Sequence, residues 1–165
     1  YDFHQIDIGE VNVTPLSDAD YDFISAMAVL YHIVDDERYI RSFQNMYDLL
    51  KPGGMLIFSE NFLHGDAIQA KHQVSRTLPK IYEYITSAGF EVVARVPYFY
   101  LMNAPIDSHN PFLRGFWRLI TRLVKRNAFF GHLLGMMLYP IERLLISVAS
   151  ESPSTELMIC RKPDH

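Results

Sequence analysis

Two histidines and a few carboxylates are the residues of this chain best suited to chemistry. His32 stands in the segment V-L-Y-H-I. An imidazole there can take a proton near neutral pH, which makes His32 a base candidate; packing at the end of a strand is the plainer role. His64 and Asp66 offer either a base with its orienting carboxylate or two metal ligands, and a solvated loop is the preferred reading; no metal site is assigned. The run Asp35-Asp36-Glu37 is better explained by helix capping than by cation recruitment. Glu60 is open between a substrate contact and a structural hydrogen bond. Cys160 is the only cysteine, so an intrachain disulfide is excluded, a reducing compartment fits, and a small core residue is expected.

These residues need elements to position them. Of the 165 residues, 49% are hydrophobic and 21% charged, the balance of one globular domain. Phe3 to Ile8 alternates weakly and predicts a short strand. Residues 9–20 are polar, contain Pro15 and predict a loop. Tyr21 to Val29 is continuously apolar after Asp22, as expected for a strand covered on both faces. Apolar residues then recur at helical spacing from Tyr39 to Leu50. Pro52 stops that helix, and Gly53-Gly54 permits a turn into a second strand over Met55 to Ser59. Thr77 is a cap for a helix over Leu78 to Ala88, which Gly89 ends. Strands are expected over Phe90 to Tyr100 and Leu157 to Arg161.

Between these last two strands lies a helical insertion, about residues 103–152, with helices over Pro111 to Arg126 and Phe129 to Val148. In the first, Phe112, Phe116, Leu119, Ile120 and Leu123 share one face, and Arg114, Arg118, Arg122 and Lys125 share the other. The apolar face is expected to pack on the body as a lid. The alternative is a basic amphipathic helix, residues 112–126, lying on an anionic membrane. Residues 128–141 are apolar except for His132, a run too short to span a bilayer. Gly131 and Gly135 form a weak G-x-x-x-G packing motif. Net charge is −4, and the five basic residues of Phe112 to Arg126 leave the remainder more acidic still. A mildly acidic body with one basic helix does not suit nucleic acid. A homo-oligomer is left open.

Alternating strands and helices imply a parallel α/β sheet, with ligands beyond the carboxyl ends of its strands. The segments Y-D-F-I-S-A-M-A-V-L-Y-H-I (Tyr21 to Ile33) and L-L-K-P-G-G-M-L-I-F-S-E-N (Leu49 to Asn61) add a stronger signal. At this spacing they closely resemble the second half of the class I S-adenosylmethionine-dependent methyltransferase domain. The resemblance implies a Rossmann-like sheet in order 3-2-1-4-5-7-6 with strand 7 antiparallel, of which this chain would hold strands 3 to 7. It implies methyl transfer from S-adenosylmethionine to a small-molecule acceptor by a cytoplasmic enzyme, with a membrane-peripheral form acting on a lipid-linked substrate as the alternative. A non-catalytic binding module that retains half of the fold is a further alternative.

The resemblance also implies roles. Asp7 matches the acidic residue that bonds the adenine amino group, with the Ile8 amide beside it. Met27 matches the end of strand 4, whose backbone faces the cofactor's methionine part, and Tyr31 and His32 fall at the cofactor and substrate lip. Glu60, Asn61 and His64 fall on the substrate side. The family's glycine-rich loop has no counterpart, because Gly9 is the sole glycine before Gly53. The chain is therefore expected to be N-terminally truncated and inactive alone.

Overall fold

The computed structural model describes residues 3–11, 13, 16 and 21–164. Its frame is a four-stranded sheet in the order β1-β2-β6-β5. Strand β1 (Tyr21–Ala26) pairs parallel with β2 (Leu50–Glu60). Strand β6 (Glu156–Arg161) runs antiparallel to both β2 and β5 (Glu91–Pro97). This is the order 4-5-7-6, with the antiparallel strand in the expected place.

Helix α1 (Asp36–Leu49) connects β1 to β2. It starts where the Asp35 side chain accepts a hydrogen bond from the Arg38 amide, satisfying one free N–H of the first turn. Its inward face, Tyr39, Phe43 and Met46, recurs at three- and four-residue steps and is fully buried. The Phe43 ring stands edge-on to Phe58 of β2 at 5.3 Å. Helix α2 (Leu78–Ser87) adds Ile81, Tyr84 and Ile85 to the same core. Thr77 occupies the N-cap position of α2 without a side-chain cap bond. Gly89, at φ +99°, ends the helix against the Tyr47 ring. Gly53, at φ +75°, opens a bulge at the start of β2, where its amide bonds the Lys162 carbonyl at 2.9 Å.

Several expectations are corrected. Phe3 to Ile8 is not a strand. Among the described residues no strand lies beside it to take its backbone bonds, and side chains of α1 hold the segment instead: Asn45 donates to the carbonyls of Ile8 and Glu10, and Arg41 to that of Gly9. The strand expected over Tyr21 to Val29 stops at Ala26, and half-exposed Phe23 shows that its two faces are not both covered. Strand β5 stops at Pro97, before Tyr100. A small hairpin, β3 (Ile68–Ala70) with β4 (Gln73–Ser75), fills a stretch without a strand signal.

The insertion folds as α3 (Pro111–Arg126) and α4 (Ala128–Val148). Asn110 and Asn127 cap them, each accepting at 2.9 Å from the amide two residues on. The expected burial of the α3 apolar face holds for Ile120 and in part for Phe116 and Leu123. It fails for Phe112 and Leu119, which are exposed because Ile120, not they, points at the body.

Candidate active site

The carboxyl ends of β1 and β2 open onto a polar cavity of about 180 Å³. Its wall includes Tyr31, Asn61, Gln73, Tyr98, Asn103 and Thr155. β2 delivers Asn61, the β6 approach delivers Thr155, and the loop leading into the insertion delivers Asn103. They are joined by a chain of hydrogen bonds. Asn103 donates to Thr155 Oγ1 at 2.8 Å, Thr155 donates to Asn61 Oδ1 at 3.0 Å, and Asn61 Nδ2 donates to Ser75 at 3.1 Å. Such a chain fixes side-chain orientation in advance of a ligand.

A second, apolar cavity of about 350 Å³ runs along the outer edge of β1, lined by Ile8, Tyr21, Phe23, Val29 and Leu30 among others. The backbone between Ala26 and Tyr31 is the partition. Ala26, Val29 and Leu30 face the apolar side, while Ala28 and Tyr31 face the polar side. Ala28 takes a left-handed conformation, φ +55°, which is uncommon for a side-chain-bearing residue and clusters at functional sites. Its amide donates to Ser59 Oγ at 2.7 Å.

The expected site residues are distributed around this frame. Tyr31 and Asn61 line the polar cavity. Met27 is partly exposed on the partition, and Ile8 lies on the apolar side. Asp7 is engaged with the Arg38 guanidinium and accepts from the Gly9 amide at 3.0 Å. His32 sits on a short 3-10 turn, Leu30–His32, exposed, its ring tilted at 50° against Tyr31 with ring centroids 4.5 Å apart. Its Nδ1 lies 3.0 Å from the His72 carbonyl, which can only accept, so Nδ1 carries the proton and Nε2 is left as the basic atom.

Glu60 is fully buried beneath the cavity and accepts from the Tyr39 hydroxyl at 3.0 Å. Burial pushes its carboxyl up to about 8, against the lowering effect of Tyr39 and the nearby Arg76 guanidinium. Burial likewise holds the Tyr39 phenol well above its ordinary value. Arg76 lies over the Tyr39 ring at 3.7 Å and pairs with Asp36 at 2.8 Å. Of the two roles open to Glu60, the geometry is that of a structural hydrogen bond.

His64 pairs with Asp107 of the insertion, at 2.6 Å through Nδ1, not with its sequence neighbour Asp66. Its Nε2 faces Glu151 at 3.6 Å. The Asp107 hydrogen bond raises the His64 pKa, which favours the cation and makes the pair a clasp between the β2 loop and the insertion. Sequence reading missed Gln73, Asn103, Thr155 and Asp107, which no local pattern marks. Among the described residues no three His, Cys, Asp or Glu side chains are placed to hold a metal.

Residues 1–58 match a family described as methyltransferase domain. The match covers β1, α1 and most of β2, about a third of the chain, and makes that part similar to a methyltransferase domain. No curated protein sequence matches the chain. Solved structures share its fold at low identity, among them the following three. The [4+2]-cyclase SpnF is 16% identical with a TM-score of 0.55, covering 99% of this chain and 56% of its own. The O-methyltransferase from a trans-AT PKS multienzyme of Brevibacillus brevis, in complex with S-adenosyl-L-homocysteine, is 15% identical with a TM-score of 0.53, covering 99% and 49%. A putative sarcosine dimethylglycine methyltransferase from Galdieria sulphuraria is 16% identical with a TM-score of 0.52, covering 96% and 57%. The chain thus spans about half the length of the structures it matches.

S-adenosylmethionine fits this chain only in part. The Ala26–Tyr31 partition lies beyond the end of β1, with Met27, Ala28 and Val29 exposed between buried Ala26 and Leu30. Among the described residues lining the two cavities none is acidic, so no carboxylate is placed there for ribose hydroxyls. The Asp7 carboxylate is already neutralised by Arg38.

Proposed function

We propose that this chain supplies the acceptor side of S-adenosylmethionine-dependent methyl transfer to a small molecule. The observation that carries the reading is the polar cavity at the carboxyl ends of β1 and β2, reached from a segment that matches the methyltransferase domain. Ligands of open α/β sheets lie at such strand ends. The cofactor, when bound, supplies an electrophilic methyl group. The protein's part is to hold the nucleophile in line, to exclude water and to accept a proton where the acceptor carries one. Tyr31 and the Asn61–Thr155–Asn103 chain are the acceptor-holding groups, and His32, outside the cavity lining but against the Tyr31 ring, is the candidate proton acceptor. A fold of this kind does not by itself specify methyl transfer, since one match is named a cyclase.

The test is calorimetry and a tritiated-methyl assay on the complete product of the gene that encodes this chain. It should bind S-adenosylmethionine, and Asn61→Ala should raise the acceptor KM about tenfold or more by removing a buried polar contact. The 165-residue chain alone should bind the cofactor weakly. Failure of the complete product to bind S-adenosylmethionine would replace this reading with a non-catalytic module or a different chemistry on the same fold.

A further inference from the structure

We infer that the α3–α4 hairpin seats this protein on an anionic membrane surface. The inference goes beyond methyl transfer and does not depend on it. Helix α4 carries a continuous outward stripe of apolar side chains: Phe129, Leu133, Met137, Ile141, Leu144 and Val148, all exposed. The steps of three and four residues keep them on one face for the length of the helix. Phe129 is 66% exposed and Met136, beside the stripe, 74%. An apolar face of this extent, turned to water, marks an interaction surface.

Charge selects the partner. Arg114, Arg118, Arg122, Lys125 and Arg126 lie on the neighbouring helix, and Arg143 lies on α4 itself. Among the described residues none of these six is in an ion pair. The acidic residue of α4, Glu142, is turned into the body, where its carboxylate accepts from the amides of Tyr100 and Leu101 at 2.6 and 2.7 Å. The exposed hairpin is thus apolar and cationic with no exposed anion. A second copy of the chain would bring like charges together, whereas lipid phosphate and carboxylate neutralise them. The tip concentrates the pattern: Lys125 and Arg126 end α3 immediately before Phe129 and Phe130 of α4. Aromatic rings in the boundary with cations at headgroup level is the arrangement of an interfacial helix.

The hairpin lies on the bilayer and does not cross it. Helix α4 is long and apolar enough to span by length and composition. Its Glu142 tie to the β5 end fixes the helix to the soluble body, and the 14 residues before that point would reach only about 21 Å, against roughly 30 Å of hydrocarbon. Gly131 contributes by letting α4 approach α3, its position meeting Val124 at 3.4 Å. Docking would also face the acceptor region toward lipid. Arg114, Trp117 and Arg118 line a cleft of about 390 Å³ together with Ala104 and Ile106, which also wall the polar cavity.

The test is co-sedimentation of the full chain with vesicles of phosphatidylcholine alone or with roughly one third phosphatidylserine. Binding is expected to the anionic vesicles, to fall as salt rises, and to be absent with phosphatidylcholine alone. Replacing Arg122, Lys125 and Arg126 together by Gln should weaken it on the order of a hundredfold. Phe129→Ser with Phe130→Ser should weaken it at least about tenfold. All five side chains are exposed, and circular dichroism checks that the variants stay folded. No binding of the folded chain to anionic vesicles, equal binding to neutral ones, or binding unchanged in either variant overturns the inference. A dimer in light scattering that the Phe substitutions dissolve, without vesicle binding, assigns the face to a second copy and equally overturns it.

Discussion

The hydroxyl of Ser59, near the end of β2, accepts a 2.7 Å hydrogen bond from the amide of Ala28, beyond the end of β1. The contact holds Ala28 at φ +55°, where a Cβ costs about 1–2 kcal/mol. That turn throws Tyr31 toward the polar cavity and Val29 toward the apolar one. Ser59→Ala should lower stability by about 1 kcal/mol. Ala28→Gly should leave it unchanged or raise it by up to about 1 kcal/mol, since glycine relieves the strain but has more unfolded freedom to lose. Thermal or denaturant melts decide. A marked loss from Ala28→Gly would show that the turn is held by something other than this bond.

Glu60 sets a pH dependence. Its carboxyl stands at about 8 in the folded chain, above the roughly 4.3 of an unfolded glutamate. The folded state therefore binds the extra proton between those values. The stability it contributes is fully present below the unfolded value and is lost as pH rises through about 8. The slope cannot exceed about 1.4 kcal/mol per pH unit for one proton. Glu60→Gln should flatten the dependence between those limits, measured by urea melts at a series of pH values.

The His64–Asp107 clasp predicts a local titration. Asp107→Asn removes the charge that raises the His64 pKa, so the imidazole should titrate at lower pH, read from its ring proton shifts by NMR. In the parent chain the clasp's stabilisation is present at low pH and lost as pH rises through the raised value. An unmoved titration would mean that Glu151, and not Asp107, holds the cation.

Elements whose partners are near in sequence were legible, and those whose partners are distant were not. The Tyr39-Phe43-Met46 stripe and the Gly89 stop follow from local rules and stand where those rules place them, and of the acidic run expected to cap α1 the structure uses Asp35. The parallel β1–β2 pair follows from the strand-helix-strand pattern. Phe3 to Ile8 failed because a strand needs a neighbour, which no local alternation can supply. The polar cavity was half legible. Asn61 directly follows β2 and Tyr31 stands on the turn beyond β1, but Asn103 and Thr155 reach the cavity from 42 and 94 residues beyond Asn61, through hydrogen bonds that no spacing encodes. The lid face of α3 was misread because an all-apolar stripe does not say which part meets protein; Phe112 and Leu119 turned outward.

The core and the insertion should fail separately. Phe43 lies between Tyr39 and Phe58, with ring centroids at 5.2 and 5.3 Å, so Phe43→Ala should cost about 3–5 kcal/mol of global stability. Glu142 instead ties α4 to the end of β5 by two hydrogen bonds to backbone amides. Glu142→Ala should cost about 2–4 kcal/mol, because both donors lose a charged acceptor in a partly covered site. Glu142→Gln should cost roughly half as much, retaining one acceptor. The discriminating readout is hydrogen exchange. After Glu142→Ala, the amides of Tyr100 and Leu101 and the helix of residues 128–148 should exchange faster, while α1 and β2 keep their protection. Uniform loss of protection would show that the insertion and the sheet unfold as one unit. Retained protection at Tyr100 would show that the loop is held by its neighbours and not by Glu142.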